Sequence, residues 1–309
     1  MRILFIGSKG MGVLALEELV RQGAEVAAVV ARWDDPHSGQ WYPSVSARAR
    51  ELGLPLLQPQ DINGSAFFRQ IRKLGVDLMF TAFWPRIYRK RLLELASRGS
   101  INLHFGPLPR YRGSFPGAWA IIRGERRHGV TIHYMDEGAD SGDIVAQRFV
   151  DIAADETGRT LYGKCEEAGQ ALLRETWPLL AAGTAPRLPQ REEDALYHGR
   201  GYPYGGVVDF RWSAERIDAY IRAMAFPPFP SPATTFRGRP LRILRVQVRE
   251  REGTGGDPGR IDSLEDGVTV QAGVGRVRLL TLETGSAAGR SIEESIRDLG
   301  LSVGGFFGS

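Results

Sequence analysis

Residues 1–30 read Met-Arg-Ile-Leu-Phe-Ile-Gly-Ser-Lys-Gly-Met-Gly-Val-Leu-Ala-Leu-Glu-Glu-Leu-Val-Arg-Gln-Gly-Ala-Glu-Val-Ala-Ala-Val-Val. The apolar run Ile3–Ile6 ends in Gly-Ser-Lys-Gly, too short for a helix, and reads as a buried strand. From Met11 to Arg21 apolar residues fall at helical spacing, and Glu25–Val30 is again a short apolar run. Strand, helix, strand in this order predicts a β-α-β unit with parallel strands. A single arginine ahead of so few apolar residues is unlike a signal peptide.

The rhythm continues beyond this unit. Ser44–Leu52, Ser65–Leu74 and Lys90–Ser97 have helical spacing, and they alternate with the apolar runs Pro55–Leu57, Asp77–Ala82 and Ser100–Leu103. The pattern predicts an α/β fold, a doubly wound, mostly parallel sheet with helices on both faces and right-handed crossovers. Phe115–Arg123 predicts another helix, Gly129–Tyr134 and Asp143–Val150 two more strands, and Thr160–Leu180 a long amphipathic helix. Residues 183–202 are rich in Pro, Arg, Glu and Gly and show no period. We therefore expect a catalytic domain over 1–190, a linker over 191–202 and a smaller C-terminal domain over 203–309. In the last, Ala214–Ala225 predicts a helix N-capped by Ser213, with Arg216 at N3 and so no capping box. Five short β-like runs follow, Ala233–Phe236, Leu241–Arg249, Gly259–Ser263, Gly267–Ala272 and Val277–Glu283, and predict a small OB-like β-barrel. Val303–Ser309 carries no pattern and is expected to be poorly ordered.

Composition bounds the rest. The 309 residues are 42% hydrophobic and 25% charged, the balance of a soluble globular protein. Cys165 is the single cysteine, so no intrachain disulfide or cysteine metal cluster forms, which fits the cytoplasm. No apolar run approaches the roughly 18 residues of a membrane span. The formal charge is only +4, and acidic residues interrupt the densest arginine stretches, Arg123–His128 and Arg237–Arg251. That distribution reads as a solvated surface, with attraction for substrate phosphates second, and does not call for nucleic acid.

The segment richest in chemistry is Ile101-Asn-Leu-His-Phe-Gly-Pro-Leu-Pro-Arg-Tyr-Arg-Gly113. Asn102 and His104 lie two apart at a strand end, so their side chains emerge on one face. Ligands in open α/β sheets bind beyond the carboxyl ends of the strands. Pro107, Pro109 and Gly113 force an irregular loop that would wall a pocket; a histidine merely satisfied at a strand end is the plainer reading. In Gly138-Ala-Asp-Ser-Gly-Asp143, Asp140 is placed to orient His104 or relay a proton, although an Asp in such a turn is more often an Asx turn. Gly7-Ser-Lys-Gly-Met-Gly12 spaces its glycines as G-x-x-G-x-G, which is not a dinucleotide fingerprint. Before a helix N-terminus such a turn is either a plain connection or an anion site, for which Ser8 and Lys9 are the candidates.

Asn102-Leu-His104, Leu108-Pro-x-Tyr-Arg-Gly113, Gly129-Val-Thr-Ile-His133 and Ala139-Asp140-x-Gly142 together resemble the folate-dependent formyltransferase superfamily. Asp34-Asp-Pro, Ser44-Val-Ser-Ala and Leu54-Pro bring the chain nearest to the formyltransferases of UDP-4-amino-4-deoxy-L-arabinose and other sugar N-formyltransferases, then to methionyl-tRNA formyltransferases. The resemblance implies a catalytic set of Asn102, His104 and Asp140. It also implies 10-formyltetrahydrofolate as formyl donor, no metal, and a pterin site on Phe83, Trp84, Arg86, Ile87, Tyr88, Gly138 and Ala139. Apolar and aromatic side chains suit such a flat ring, and ordinary core packing would explain Trp84 and Ile87 equally well. The family usually has Ser-Leu where this chain has Gly106-Pro107, so the wall beside His104 differs.

For the acceptor, the resemblance points to a small-molecule amine, foremost an amino sugar on a nucleotide. Ser8, Lys9, Trp41, Tyr42, Gly106 and Pro107 are its candidate contacts. Methionyl-tRNA formyltransferases usually carry a basic Gly-Arg-Gly-Lys-Lys loop after the second strand. Here the region is Asp34-Asp-Pro-His-Ser-Gly-Gln-Trp-Tyr-Pro43, without lysine, which argues against tRNA phosphates. Methionyl-tRNA, or another small amine of secondary metabolism, is the alternative acceptor. A homodimer stays open.

Overall fold

The structure is a computed structural model that describes residues 1–33, 35, 42–226, 229–253, 255–284 and 291–308. It forms two compact units: Met1–Pro116, Arg127–Asp151 and Tyr162–Arg200 in the first, Gly117–Arg126, Ile152–Leu161 and Gly201–Ser309 in the second.

The chain opens with strands β1 (Arg2–Gly7), β2 (Glu25–Val30), β3 (Leu56–Leu57), β4 (Leu78–Ala82) and β5 (Ser100–His104). Helices α1 (Lys9–Arg21), α2 (Val45–Glu51), α3 (Ser65–Arg72) and α4 (Lys90–Leu93) alternate with them. Next come β6 (Arg112–Gly113), α5 (Pro116–Ile122), β7 (Arg127–Tyr134), β8 (Ile144–Asp151) and α6 (Gly158–Ala182). The main sheet has seven strands in the order β3-β2-β1-β4-β5-β7-β8. Its first five are mutually parallel, and β7 runs antiparallel to both neighbours, so the mostly parallel sheet is as expected. Helices cover both faces of such a sheet, so its strands read as unbroken apolar runs: Ile3, Leu4, Phe5 and Ile6 are all 0% exposed. Each side chain buried this way contributes about 1.5–3 kcal/mol.

The strand order turns at β1, with β2 and β3 on one side and β4 and β5 on the other. A crevice opens at such a switch point, beyond the carboxyl ends of the strands. The residues that leave those ends are Ser8 and Lys9 after β1, Phe83 and Trp84 after β4, and Phe105 after β5.

The stretch 191–202, expected as a linker, carries structure of its own. β9 (Tyr197–His198) pairs in parallel with β6, flanked by Arg112 N–H to Leu196 O at 2.9 Å and Ser114 N–H to His198 O at 2.9 Å. Backbone bonds to a distant loop leave no side-chain period, so the segment has no signature in the sequence.

In the second unit, Ser213 Oγ accepts from the Arg216 N–H at 3.3 Å and caps α7 (Ala214–Met224), as expected. Five antiparallel strands follow, β10 (Ala233–Phe236), β11 (Arg239–Glu250), β12 (Ile261–Ser263), β13 (Val268–Gln271) and β14 (Arg276–Glu283), in the order β10-β11-β14-β13-β12. The curled sheet matches the OB-like expectation. Val303–Ser309 corrects another: Phe306 bridges to Arg260 beside β12, and Phe307 bridges to Phe236 of β10. Phe307 is buried against Phe210 and Phe236, at ring distances of 5.7 and 5.5 Å. Single aromatics pinned by tertiary partners leave no period to read. Helix α8 (Ile292–Leu299) was also passed over, although Ser291 and Glu294 form a capping box and Gly300 ends it at φ 64°. Among the described residues no helix is long and apolar enough to cross a membrane.

Candidate active site

Asn102 and His104 point from the end of β5 toward β7, whose antiparallel register sets Asn102 opposite His133 and His104 opposite Thr131. The loop 136–142 returns Asp140 to the same spot. Asp136 Oδ1 accepts from the Gly138 N–H at 3.0 Å and the Ser141 hydroxyl at 2.7 Å, an Asx turn that shapes the loop. Asp140 itself adopts φ 56°, a left-handed conformation that Asp tolerates better than most residues. Gln190 locks this turn, its Nε2 donating to the carbonyls of Asp140 and Gly142 at 2.8 and 2.7 Å. Its Oε1 accepts from Arg112 Nε at 3.0 Å, and the Arg112 guanidinium forks onto Glu192 at 2.8 and 3.0 Å.

Hydrogen-bond logic settles the polarity of the cluster. The Tyr134 carbonyl can only accept, so His133 Nδ1, 2.7 Å away, donates to it and Nε2 is left as an acceptor. Asn102 therefore turns its NH₂ toward His133 Nε2, at 3.1 Å, and the second hydrogen faces Asp140 Oδ1 at a long 3.4 Å. In the same way His104 Nε2 donates to the Tyr111 carbonyl at 2.8 Å, which leaves Nδ1 facing Asp140 Oδ2 at 3.6 Å. Asp140 Oδ2 also accepts the Gly113 N–H at 2.9 Å, and Oδ1 lies 3.5 Å from His133 Nε2. Burial alone would push the Asp140 carboxyl up; His104 and His133 in their protonated, cationic forms, with the Gly113 N–H, outweigh it and hold the group well below the usual carboxylate range.

Gly113 has φ 92°, and a Cβ there would stand 2.1 Å from the His198 carbonyl oxygen, so only glycine lets its N–H reach Asp140. Thr131 Oγ1 donates to the Gly106 carbonyl at 2.6 Å and accepts from the Leu108 N–H at 3.2 Å, which fixes the loop after His104.

A cleft runs from this cluster between the β4 and 136–142 loops. Trp84, Pro85, Arg86, Ile87 and Tyr88 line one side; Met135, Gly138 and Ala139 line the other; Asn102, His133 and Asp140 stand at its end. The structure thus brings together six of the seven expected folate contacts. Tyr88 is 1% exposed, with its hydroxyl 3.1 Å from Thr81 Oγ1, so it also serves the core.

Three expectations change. Phe83 turns away from the cleft; at φ 62° its ring packs among Lys9 Nζ, Phe105 and Tyr162 at 4.8, 5.5 and 5.6 Å. Ser8 is buried and spends its hydroxyl on the Phe83 carbonyl, so it is not available to a substrate. Gly106 is buried against His104 and the Tyr111 carbonyl, where it shapes the histidine's seat rather than an acceptor wall. Trp41 lies outside the described residues. Lys9, Tyr42 and Pro107 are each partly buried. Sequence reasoning missed His133, Tyr111, Arg112 and Gln190. His133 carried a usable signal, since Thr131 and His133 alternate on one face of a strand; Gln190 sits in an aperiodic stretch and carried none.

Residues 1–176 match the formyl transferase family model, and residues 203–297 match that of the formyl transferase C-terminal domain. The chain belongs to the formyl transferase family. In fold it is similar to WlaRD, a sugar 3N-formyltransferase solved with dTDP and 5-N-formyl-tetrahydrofolate, at TM-score 0.69 and 19% identity over 93% of this chain and 98% of that one. The N-formyltransferase from Helicobacter canadensis, in complex with folinic acid and dTDP-3-aminofucose, matches with TM-score 0.69 and 19% identity over 92% and 99%. Methionyl-tRNA formyltransferase from Clostridium thermocellum matches with TM-score 0.58 and 17% identity over 81% and 94%.

Proposed function

We propose that this chain moves a formyl group from 10-formyltetrahydrofolate to the primary amine of a small molecule, with an amino sugar carried on a nucleotide as acceptor. The observation that carries the reading is the Asn102–His104–Asp140 cluster, of which Asn102 and Asp140 line a cleft, in a formyl transferase chain. The similar folds solved with folates and dTDP ligands support the choice of donor and acceptor.

The cleft fits a folate ring on its own chemistry. Trp84, Ile87 and Met135 offer apolar walls. The Trp84 indole N–H is buried without an acceptor among the described residues, a donor suited to the polar edge of a heteroaromatic ring. Bound there, the folate supplies the formyl carbon.

The residues then divide the work. Asn102 Nδ2, with one hydrogen held by His133 and the other only loosely by Asp140, donates to the formyl oxygen as negative charge develops. His104 Nδ1 and Asp140 Oδ2 are two acceptors facing each other at 3.6 Å, a seat for the one proton that the amine gives up and that passes to the folate nitrogen as its bond to the formyl carbon breaks. The Tyr111 carbonyl holds the histidine in the ring orientation this needs. Fixing amine and formyl group side by side lowers the barrier further.

The test is incubation of the purified chain and 10-formyltetrahydrofolate with dTDP- and UDP-linked 3- and 4-amino sugars, free amino acids and methionyl-initiator tRNA. A formamide on a nucleotide-linked amino sugar is expected. Formylation of the tRNA and of nothing else would overturn the reading.

A further inference from the structure

The cleft that Asn102 and Asp140 line has a further wall, which the chemistry above does not use. Gly113 and Ser114 contribute to it, together with Tyr197 and Arg200 from the stretch expected as a linker. The β6–β9 pairing brings these segments together. It sets Tyr197 beside Arg112 and His198 beside Gly113, and the Ser114 N–H donates to the His198 carbonyl at 2.9 Å. One residue ties this wall to the catalytic cluster. The Gly113 N–H donates to Asp140 Oδ2 at 2.9 Å, and a Cβ on Gly113 would stand 3.0 Å from Tyr197 Cε2. The tyrosine ring therefore lies against the backbone that holds the catalytic carboxylate.

Two side chains of this wall have no structural employment. Tyr197 is 55% exposed, a large aromatic left at the cleft with no partner for its hydroxyl among the described residues. The Arg200 guanidinium is exposed and, among the described residues, meets no carboxylate and no hydrogen-bond acceptor. The two carboxylates that line the cleft with it are engaged elsewhere, Asp136 by Gly138 and Ser141, and Asp140 by Gly113 and the two histidines. An exposed arginine is by itself an ordinary solvated side chain. This one is singled out by the cleft it shares with the catalytic groups and with an exposed aromatic.

In 10-formyltetrahydrofolate the nitrogen that bears the formyl group also bears a benzoyl ring, on the side away from the pterin, and that ring carries a glutamate through an amide bond. A donor with its pterin against Trp84, Ile87 and Met135 and its formyl group at Asn102 sends a flat ring, then carboxylates, past the reacting centre. Tyr197 offers a face for such a ring. Arg200 offers a planar fork for a carboxylate. In a nucleotide sugar a pyranose and its phosphates separate the amine from any flat ring, so an aromatic side chain this near the reacting centre favours the donor.

We propose that Tyr197 and Arg200 form the tail subsite of the formyl donor, Tyr197 packing on the benzoyl ring and Arg200 binding the glutamate carboxylates. This rests on the placement of the folate proposed above. Both residues act in binding and neither touches the reacting atoms.

The experiment is titration calorimetry with two ligands, 5-formyltetrahydrofolate and the matching pteroamide, which keeps both ring systems and ends in a neutral amide. Wild type should bind the glutamate-bearing ligand about fivefold more tightly, an advantage that added salt reduces. Arg200→Ala should erase that advantage while the Kd of the amide stays within about twofold. Arg200→Lys should keep part of it, because the charge remains and the fork is lost. Tyr197→Ala should weaken both ligands by a similar factor, about three- to tenfold, since both carry the benzoyl ring. In steady-state kinetics the Arg200 effect should fall on donor KM rather than on kcat or acceptor KM, with thermal melts to confirm folding. A folded Arg200→Ala protein that still prefers the glutamate-bearing ligand overturns the proposal while folate binding stands. An acceptor KM that rises with both folate Kd values unchanged gives Arg200 to the acceptor's phosphates and overturns it equally. If wild type binds neither ligand, the placement of the folate falls and this subsite falls with it.

Discussion

Replacing Gly106 by serine puts a Cβ 2.7 Å from His104 Nε2, 2.9 Å from the Tyr111 carbonyl oxygen and 3.0 Å from His104 Cδ2. Ordinary contact begins at 3.4 Å, so the imidazole or the backbone must yield by up to 3.4 − 2.7 = 0.7 Å. Neither yields freely. The ring is tied to that same carbonyl by a 2.8 Å hydrogen bond, Tyr111 is 2% exposed with φ 64°, and the Gly106 carbonyl is held by Thr131. Overpacking of a buried site by one such group costs about 1–3 kcal/mol. Displacement of a catalytic ring by a sizeable fraction of an ångström lowers turnover by up to about 10²-fold. Gly106→Ala carries the same Cβ and should behave almost identically, which separates the steric effect from any effect of the hydroxyl. Urea unfolding and steady-state kinetics on purified variants measure both quantities, with folate binding as the control that the cleft is intact. The outcome runs against the resemblance, which implies serine at that position. A Gly106→Ser variant with wild-type stability and wild-type kcat would refute the reasoning.

Other consequences follow from the same geometry. His104→Ala and Asp140→Asn should each reduce kcat by about 10²–10⁴-fold with the fold retained, since both act on the reacting proton; near-normal turnover in either variant removes that residue from the set. His133→Leu frees the Asn102 amide to rotate and should lower kcat by about 10–100-fold while leaving both KM values nearly unchanged, and a KM effect alone would argue against an orienting role. The depressed Asp140 carboxyl has a defined signature in stability. Its contribution is complete above the unfolded value of about 4 and is lost as pH falls toward the much lower folded value. The urea midpoint should therefore drop below about pH 4 in wild type, and less steeply in Asp140→Asn; identical acid profiles would show that the carboxylate is not held in the folded state.

Residues 1–104 made the parallel sheet legible, because strands buried on both faces must be apolar throughout and helices between them must be amphipathic. Local chemistry also marked Ser213 as a cap, and the alternation of Asn102 and His104 placed both on one face of β5. Proximity across the chain was not written there. That Asn102 faces His133 is a matter of antiparallel register between β5 and β7. That Asp140 reaches both histidines depends on a turn locked by Gln190, fifty positions downstream and in an aperiodic stretch. Phe83 and Ser8 were misplaced for the same reason: which side of a loop faces a cleft follows from positive φ and from the nearest carbonyl, neither of which leaves a pattern in residue order. Residue types and short-range spacing therefore determined the elements and the kinds of groups at work. Only the tertiary structure decided their polarity, with the carbonyls of Tyr111 and Tyr134 fixing which nitrogen of each histidine carries a proton and so which end of Asn102 meets the substrate.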